Sequence, residues 1–125
     1  MLYTYKAWVE RVIDGDTQFV EVDLGFDGEA EQYLRLRGID CPEINTSEGK
    51  KAKAFAEACL RPAPFILLTT SHSDKYDRYL SDVFIPLSKD SKIRPSAPES
   101  LIKYDGQDYM YLNNELLLRK LAKRY

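Results

Sequence analysis

The opening of the chain alternates apolar and polar side chains between short turns, and this pattern restricts the fold more than any other feature. Residues 6–13 and 18–24 are strand-like, and Asp14-Gly15-Asp16 is a turn sequence between them. A third strand-like run, residues 33–39, follows an acidic turn around Asp27-Gly28. The sequence therefore predicts an antiparallel meander with charged side chains at its turns and strand ends.

Helical spacing replaces the alternation in the next segment. Thr46 or Ser47 can cap a helix, small and apolar residues then recur at helical intervals as far as Cys59, and Pro62 ends the run. Residues 65–70 and 79–85 form a second strand pair around a polar loop. Three strands plus this pair predict five strands in total.

The last third of the chain is less regular. Residues 86–110 contain three prolines, several serines and an Asp105-Gly106 turn, which predicts a long loop insertion in a single domain covering residues 1–125. From Asn113 onward, Leu116, Leu117 and Leu121 recur at helical spacing and predict a terminal helix with a basic tip.

Composition restricts the class of protein. A hydrophobic content of 44% in 125 residues is typical of one globular domain, and a net charge of −2 disfavours a strongly basic duplex-DNA binder. The two cysteines, Cys41 and Cys59, are predicted to be free thiols. The first residues lack the zones of a secretory signal and no membrane association is indicated, so a cytoplasmic location is favoured.

Five charged residues suggest chemistry when they are taken together. Carboxylates at Asp16 and Asp40 can hold a hard cation, Glu43 can activate water, and Arg35 and Arg78 can clamp a phosphate. Taken singly, each has a structural explanation: an Asp-Gly-Asp is usually a hairpin turn, and an arginine in an apolar strand is usually half of an ion pair. Their co-occurrence favours a metal-dependent phosphodiesterase.

Four motifs in this order resemble the staphylococcal nuclease, or thermonuclease, family and span nearly the whole chain. They are Val12-Ile13-Asp14-Gly15-Asp16-Thr17, Leu34-Arg35-Leu36-Arg37-Gly38-Ile39-Asp40-Cys41-Pro42-Glu43, Asp74-Lys75-Tyr76-Asp77-Arg78-Tyr79-Leu80 and Leu112-Asn113-Asn114-Glu115-Leu116. The resemblance implies a mixed α+β, mainly β fold, namely an OB-fold-like five-stranded barrel with about two to three helices.

The resemblance also implies roles for individual residues. Asp16, Asp40 and the backbone carbonyl of Cys41 are expected to bind Ca²⁺, with Mg²⁺ or Mn²⁺ as alternatives for the same oxygen ligands. Glu43 is expected to position or deprotonate the attacking water. Arg35 is expected to contact the phosphate, where its planar fork suits the charge that grows on phosphorus.

Further substrate contacts follow from the same resemblance. Arg78 is expected to be the second phosphate ligand, and Lys75 and Tyr76 to lie beside a terminal phosphate and a nucleoside. Tyr125 is expected to play a similar part near the chain end. The implied substrate is single-stranded or locally opened DNA, with RNA as a second class, and cleavage in this family leaves a 3′-phosphate.

The sequence also departs from the best-known family members. Cys41 replaces a common threonine, and residues 44–49 form a shorter loop, so its basic contacts with nucleic acid are not reproduced. The chain is also acidic, and tethering within a larger protein could supply the missing affinity. The alternative hypothesis is a noncatalytic nuclease-like module that binds nucleic acid or a protein partner.

Overall fold

The computed structural model describes residues 4–73 and 78–125, without the side chains of residues 72 and 73. The strands are β1 (Thr4–Asp14), β2 (Thr17–Gly25), β3 (Gly28–Leu36), β4 (Ile39–Asp40), β5 (Ile66–Ser73), β6 (Tyr79–Pro86), β7 (Leu101–Tyr104), β8 (Gln107–Tyr111) and β9 (Lys123–Arg124). The helices are α1 (Ser47–Leu60) and α2 (Leu112–Leu118), and a short 3₁₀ turn covers Pro98–Ser100.

Five strands close into a barrel. The meander β3-β2-β1 continues through β5 to β6, and β6 returns to pair in parallel with β3, where Arg35 lies opposite Leu80. Closure leaves no free edge around this part of the sheet, which is how an OB-like barrel avoids edge-to-edge association. The predicted mixed fold, a five-stranded barrel with two helices, is confirmed.

The interior of the barrel is filled by the inward side chains of its strands and by α2. The large aliphatic side chains that are buried completely, or nearly so, are Val20, Leu34, Leu36, Ile39, Ile66, Leu68, Val83, Met110, Leu112 and Leu116. Helix α1 adds Ala52, Ala56 and Leu60 from the side of β1. Because Leu34 and Leu36 point inward, Arg35 between them points to the outer surface.

Helix α1 begins as the sequence predicts. The Thr46 hydroxyl accepts a hydrogen bond from the Gly49 N–H at 3.0 Å, so Thr46 is the cap rather than Ser47. The helix ends at Leu60, just before Pro62. None of the helices in the described ranges is both long and apolar enough to cross a membrane.

The segment 86–110 is more ordered than the predicted loop. Its second half forms the hairpin β7–β8, and β8 pairs with the end of β6 beyond the point where β3 leaves it. Asp105 and Gly106 both have positive φ, at 51° and 77°, which is the geometry of a tight hairpin turn. The barrel sheet is thereby extended by two strands.

The C-terminal helix is shorter than predicted, and the prediction that it runs into the basic tip is wrong. Lys120 has a φ of 61°, and the Leu121 N–H returns to the Leu116 carbonyl at 2.9 Å. This is the helix-ending arrangement that glycine usually provides. The chain then turns back, and β9 pairs with β4. The last residues therefore lie beside Asp40.

Candidate active site

Arg35 is the centre of the candidate active site. It points outward near the end of β3, and its side chain is only 13% exposed. Its Nη1 is in ion-pair contact with Asp16 Oδ2, and its Nη2 donates to Asp40 Oδ1 at 3.1 Å. One guanidinium therefore joins two carboxylates that are 24 residues apart in the sequence.

A turn in the backbone makes this arrangement possible. The predicted third strand is broken at Arg37 and Gly38, and Gly38 has a φ of 79°, which favours glycine. The chain reverses there and places Asp40, on β4, beside the residue that precedes the turn by two positions. The spacing from Arg35 to Asp40 is thus set by the turn.

Asp16 is fixed from several sides. The backbone N–H of Cys41 donates to its Oδ2 at 2.7 Å, and the Thr17 hydroxyl lies 3.3 Å from its Oδ1. Burial alone would raise the pKa of Asp16, but the interactions with Asp14, the Cys41 N–H and the Arg35 charge together lower it. Asp16 is therefore an ionised carboxylate at neutral pH.

Asp14 belongs to this cluster, although it is not among the site residues predicted from the sequence. Its Oδ1 accepts the backbone N–H of Asp16 at 3.1 Å. Burial, together with the nearby Asp16 carboxylate, raises the pKa of Asp14 to about 6. Asp14 belongs to the Asp14-Gly15-Asp16 motif, but from the sequence alone it is equally well explained as a turn residue.

Gly15 allows this turn to lie against its neighbours. A Cβ at Gly15 would come within 2.7 Å of Cys41 Sγ and 2.8 Å of Ala52 Cβ. The close approach joins the β1–β2 turn, α1 and the residue after β4. Burial and the Asp16 carboxylate raise the pKa of the Cys41 thiol to about 12, so it is neutral at pH 7.

Glu43 lies on the exposed connection between β4 and α1. Its backbone carbonyl accepts from the Thr46 N–H at 3.0 Å and from the Thr46 hydroxyl at 2.6 Å. Within the described residues its carboxylate makes no side-chain hydrogen bond or ion pair. The structure therefore fixes the backbone of Glu43 and leaves its carboxylate accessible to solvent.

Replacing Gly49 with alanine is expected to destabilise the protein by about 2 kcal/mol through overpacking. A Cβ at this position would lie 1.9 Å from the Glu43 carbonyl oxygen. The usual effect of this change in a helix is the opposite, a gain of about 1 kcal/mol. Urea denaturation would measure the free energy of unfolding. Lys50→Ala, at the next and exposed position, is the control, and a stabilised Gly49→Ala variant would contradict the packing.

Arg78 immediately precedes β6, whose first residue, Tyr79, pairs with Leu34 on β3. Its Nη1 donates to the Thr17 hydroxyl at 3.4 Å, and Thr17 is in turn bonded to Asp16. The two predicted phosphate ligands therefore lie at the same end of β2, with Arg35 coming from β3 and Arg78 from the residue before β6.

Tyr125 is brought to the site by the pairing of β9 with β4. Its N–H donates to the Gly38 carbonyl at 3.1 Å, and its ring centroid lies 5.7 Å from the guanidinium carbon of Arg35. The residue is 84% exposed, so one face of the ring is open to solvent. Lys75 and Tyr76 lie outside the described residues.

The donors fit a hard cation by their chemistry. Asp16 and Asp40 supply carboxylate oxygens to one place, and oxygen ligands of this kind suit Ca²⁺. No group of three or more histidine, cysteine or acidic side chains forms a metal cluster in residues 4–73 and 78–125. The predicted set differs from such a cluster because its third ligand is the backbone carbonyl of Cys41.

The members of the site differ in exposure: the side chains of Arg35 and Asp16 are 13% and 8% exposed, whereas that of Asp40 is 42% exposed. A groove of about 510 Å³ between β1 and α1 and a cavity of about 300 Å³ at one end of the barrel are both lined by other residues.

Comparison with known proteins gives two findings. The model of the staphylococcal nuclease homologue family matches residues 33–122, a range that includes Arg35, Asp40, Glu43 and Arg78. An uncharacterized protein of Methanocaldococcus jannaschii is 33% identical over 135 aligned positions, covering 88% of this chain and 61% of the relative. The chain therefore spans about three fifths of the length of this relative.

Proposed function

Because the chain belongs to the staphylococcal nuclease homologue family, we propose that it is a calcium-dependent nuclease of DNA and RNA. The observation that supports the proposal is the bridge from Arg35 to Asp16 and Asp40, the residues to which we assign phosphate binding and cation binding. The family fold is a nucleic-acid-binding fold, in keeping with this substrate class.

Arg35 and Arg78 bind the phosphate in this proposal. Arg35 Nη1 contacts Asp16 and Nη2 donates to Asp40, so the guanidinium is fixed beside the proposed cation ligands before a phosphate binds. Donors that are already in place when charge develops on phosphorus stabilise the transition state more than donors that must reorganise. Tyr125, above the Arg35 guanidinium, offers an open ring face on which a base can stack.

Asp16, Asp40 and the Cys41 carbonyl would hold Ca²⁺. When bound, the ion supplies positive charge that polarises the phosphate. The N–H of Cys41 and the Thr17 hydroxyl hold the Asp16 carboxylate in position. The Asp14 carboxylate adds negative charge beside Asp16, and this charge favours the binding of a cation there.

Glu43 orients the attacking water in this mechanism. A bond forms between the water oxygen and phosphorus, the bond from phosphorus to the 5′ oxygen breaks, and that oxygen takes up a proton. The products are a 3′-phosphate and a 5′-hydroxyl. Glu43 accepts a hydrogen bond or the proton from the water, and its solvent-accessible carboxylate suits either role.

The second candidate function is a noncatalytic module that binds nucleic acid or protein. Arg35 already neutralises both carboxylates of the site, which is also how a purely structural ion pair would be arranged. Cleavage by the purified chain distinguishes the two functions directly.

Replacing Glu43 with glutamine is expected to lower the rate of cleavage about a hundred-fold, because the amide cannot accept a proton. The assay uses end-labelled single-stranded DNA and RNA with Ca²⁺ or with EDTA, and measures both the rate and the chemistry of the new ends. Folding is expected to be unchanged because the carboxylate has no side-chain partner in the described part of the chain.

Glu29→Gln is the matched control, since Glu29 is an exposed acid near the opposite end of β3, about 20 Å along the strand from Arg35. This variant is expected to cleave at the wild-type rate. Absence of cleavage by the wild-type protein, with retained binding of the labelled strands, would support the noncatalytic module. Cleavage by Glu43→Gln at the wild-type rate would contradict the proposed role of Glu43.

A further inference from the structure

A second outward-facing arginine lies close to the candidate active site and is held by a buried acid. Arg37 Nε donates to Asp82 Oδ2 at 3.0 Å, and Arg37 Nη2 reaches both oxygens of Asp82, at 2.9 and 3.1 Å. The Asp82 side chain is 8% exposed, whereas that of Arg37 is 51% exposed. The inner side of the guanidinium is therefore fixed, and its outer side faces solvent.

The backbone holds Arg37 in place as firmly as the side chain does. Its N–H donates to the Ser81 carbonyl at 2.9 Å, which continues the pairing of β3 with β6 by one residue. Its carbonyl accepts from Asn113 Nδ2 at 3.0 Å, on α2. An arginine held at both ends loses little side-chain entropy when it binds a ligand.

Arg37 is the next outward residue after Arg35. It lies just beyond the end of β3, and its N–H continues the pairing with β6, so its Cα is about 7 Å from that of Arg35. A bound nucleic acid strand presents phosphates repeatedly along its length, and a groove that tracks the backbone uses successive cations. The strand that places one phosphate at Arg35 can bring its neighbour to Arg37.

Asp82 does not depend on Arg37 alone. It also accepts hydrogen bonds from Tyr111 Oη, from Asn113 Nδ2 and from the Thr69 hydroxyl. The bonds to Asp82 use Arg37 Nε and Nη2, so Nη1 is the guanidinium nitrogen that they leave for a ligand. A planar donor edge of this kind matches the oxygens of a phosphate diester.

We propose that Arg37 forms a second phosphate subsite, which binds the phosphodiester adjacent to the one that is cleaved. This inference rests on the proposed nuclease function. It assigns to Arg37 a role in binding longer substrates, while Arg35 remains the contact to the reacting phosphate.

The test compares kcat/KM for two substrates, a dinucleotide with a single phosphodiester and a hexanucleotide. Arg37→Gln is expected to lower kcat/KM for the hexanucleotide about ten-fold, the worth of a charge-assisted hydrogen bond, and to leave the dinucleotide within about two-fold. Hexanucleotide binding, measured against salt concentration, is expected to lose about 0.7 from its log–log slope, the contribution of one single-strand phosphate contact.

Arg61→Gln is the control, because Arg61 is also an exposed arginine paired with an acid, at 2.8 Å from Glu57, but lies at the end of α1. The kcat/KM of this variant is expected to be unchanged for both substrates. Arg37→Lys keeps the positive charge beside Asp82, so it provides a folded variant if the glutamine variant unfolds. Its loss of kcat/KM is expected on the hexanucleotide alone, and the salt slope is compared only for Arg37→Gln, because lysine retains the charge.

The outcomes separate this inference from the function on which it depends. Equal losses on both substrates, or an unchanged salt slope, would show that the pair of Arg37 with Asp82 is only structural. No cleavage of either substrate by the wild-type protein would overturn the nuclease proposal itself, and the salt slope of binding would still report on Arg37.

Discussion

Replacing Arg35 with lysine is expected to lower kcat/KM about a thousand-fold, since removing one preorganised donor from such a site already costs about 10²- to 10³-fold. Arg35 reaches Asp16 and Asp40 with two different nitrogens. A lysine ammonium is a point charge that cannot span both carboxylates and also present a planar edge to a phosphate.

The measurement is steady-state cleavage of single-stranded DNA with saturating Ca²⁺. Calorimetric titration with Ca²⁺ is expected to show no weakening in the variant, because the substitution removes no oxygen ligand and preserves the single positive charge. Lost turnover with retained cation binding would locate the defect in phosphate binding and transition-state stabilisation.

Arg11→Lys is the matched control for this experiment. Arg11 is an exposed arginine on β1 that donates to the Tyr33 hydroxyl at 3.3 Å and stacks on the Phe19 ring. Its replacement is expected to change the rate less than two-fold, since a surface change of this kind is usually small. A loss of less than ten-fold in Arg35→Lys would mean that Arg35 serves mainly to hold the two carboxylates together.

The barrel could be predicted because strand alternation and turn chemistry are local signals. Residues 6–13, 18–24 and 79–85 have the composition and apolar pattern of strands, and in β2 alternate side chains are buried in the core. That the sheet closes into a barrel was predicted from the family resemblance and not from these local signals. The parallel pairing of Leu34 with Tyr79 joins residues 45 positions apart, and no local pattern specifies such a register.

Two of the features that sequence reasoning missed have weak local signals. The β7–β8 hairpin is marked by Asp105-Gly106, but its first strand has only four residues and follows a proline- and serine-rich stretch. Helix α2 ends just before Lys120, which has a positive φ. A glycine at this position would have predicted the end of the helix from the sequence. In both places tertiary contacts decide a conformation that the residues alone leave open.

The candidate site was predicted where its residues belong to contiguous motifs. Asp16, Arg35 and Asp40 are named by their motifs, and the structure brings all three into contact. The pair of Arg37 with Asp82 could not be foreseen, because its members are 45 residues apart and each is unremarkable by itself. Long-range ion pairs of this kind become visible only when the fold is known.

The largest expected effect on stability is at Glu115, whose replacement by glutamine should lower the free energy of unfolding by about 3 kcal/mol. Glu115 is fully buried in α2. It accepts from Arg119 Nε at 2.5 Å and from the Ser96 N–H at 3.1 Å, and Arg119 also donates to the Arg94 carbonyl. The carboxylate thereby fixes the segment before the 3₁₀ turn to the helix.

Glutamine has almost the same shape, so the loss comes from charge and hydrogen bonding. One of its two terminal atoms is an amide donor, and it would face either Arg119 or the Ser96 N–H, both of which are donors. A buried donor without an acceptor and an arginine without its anion are both unfavourable. Because Arg119 is 35% exposed, solvent screens part of this loss, which places the estimate at the low end for a broken buried pair.

Urea denaturation at several pH values tests this prediction. Burial alone would raise the pKa of Glu115, but the bonds from Arg119 and Ser96 lower it below its ordinary value of 4.5. A lowered folded-state pKa means that the carboxylate stabilises the protein above pH 4.5 and stops doing so as the pH falls through the folded-state pKa. The difference in the free energy of unfolding between wild type and Glu115→Gln should therefore be full at pH 7 and shrink in acid.

The control is Glu99→Gln, which changes an exposed acid in the adjacent 3₁₀ turn. Its free energy of unfolding should stay within about 0.5 kcal/mol of wild type at every pH. A Glu115→Gln deficit that persists unchanged in acid would show that the shape of the side chain, and not its charge, holds the segment in place.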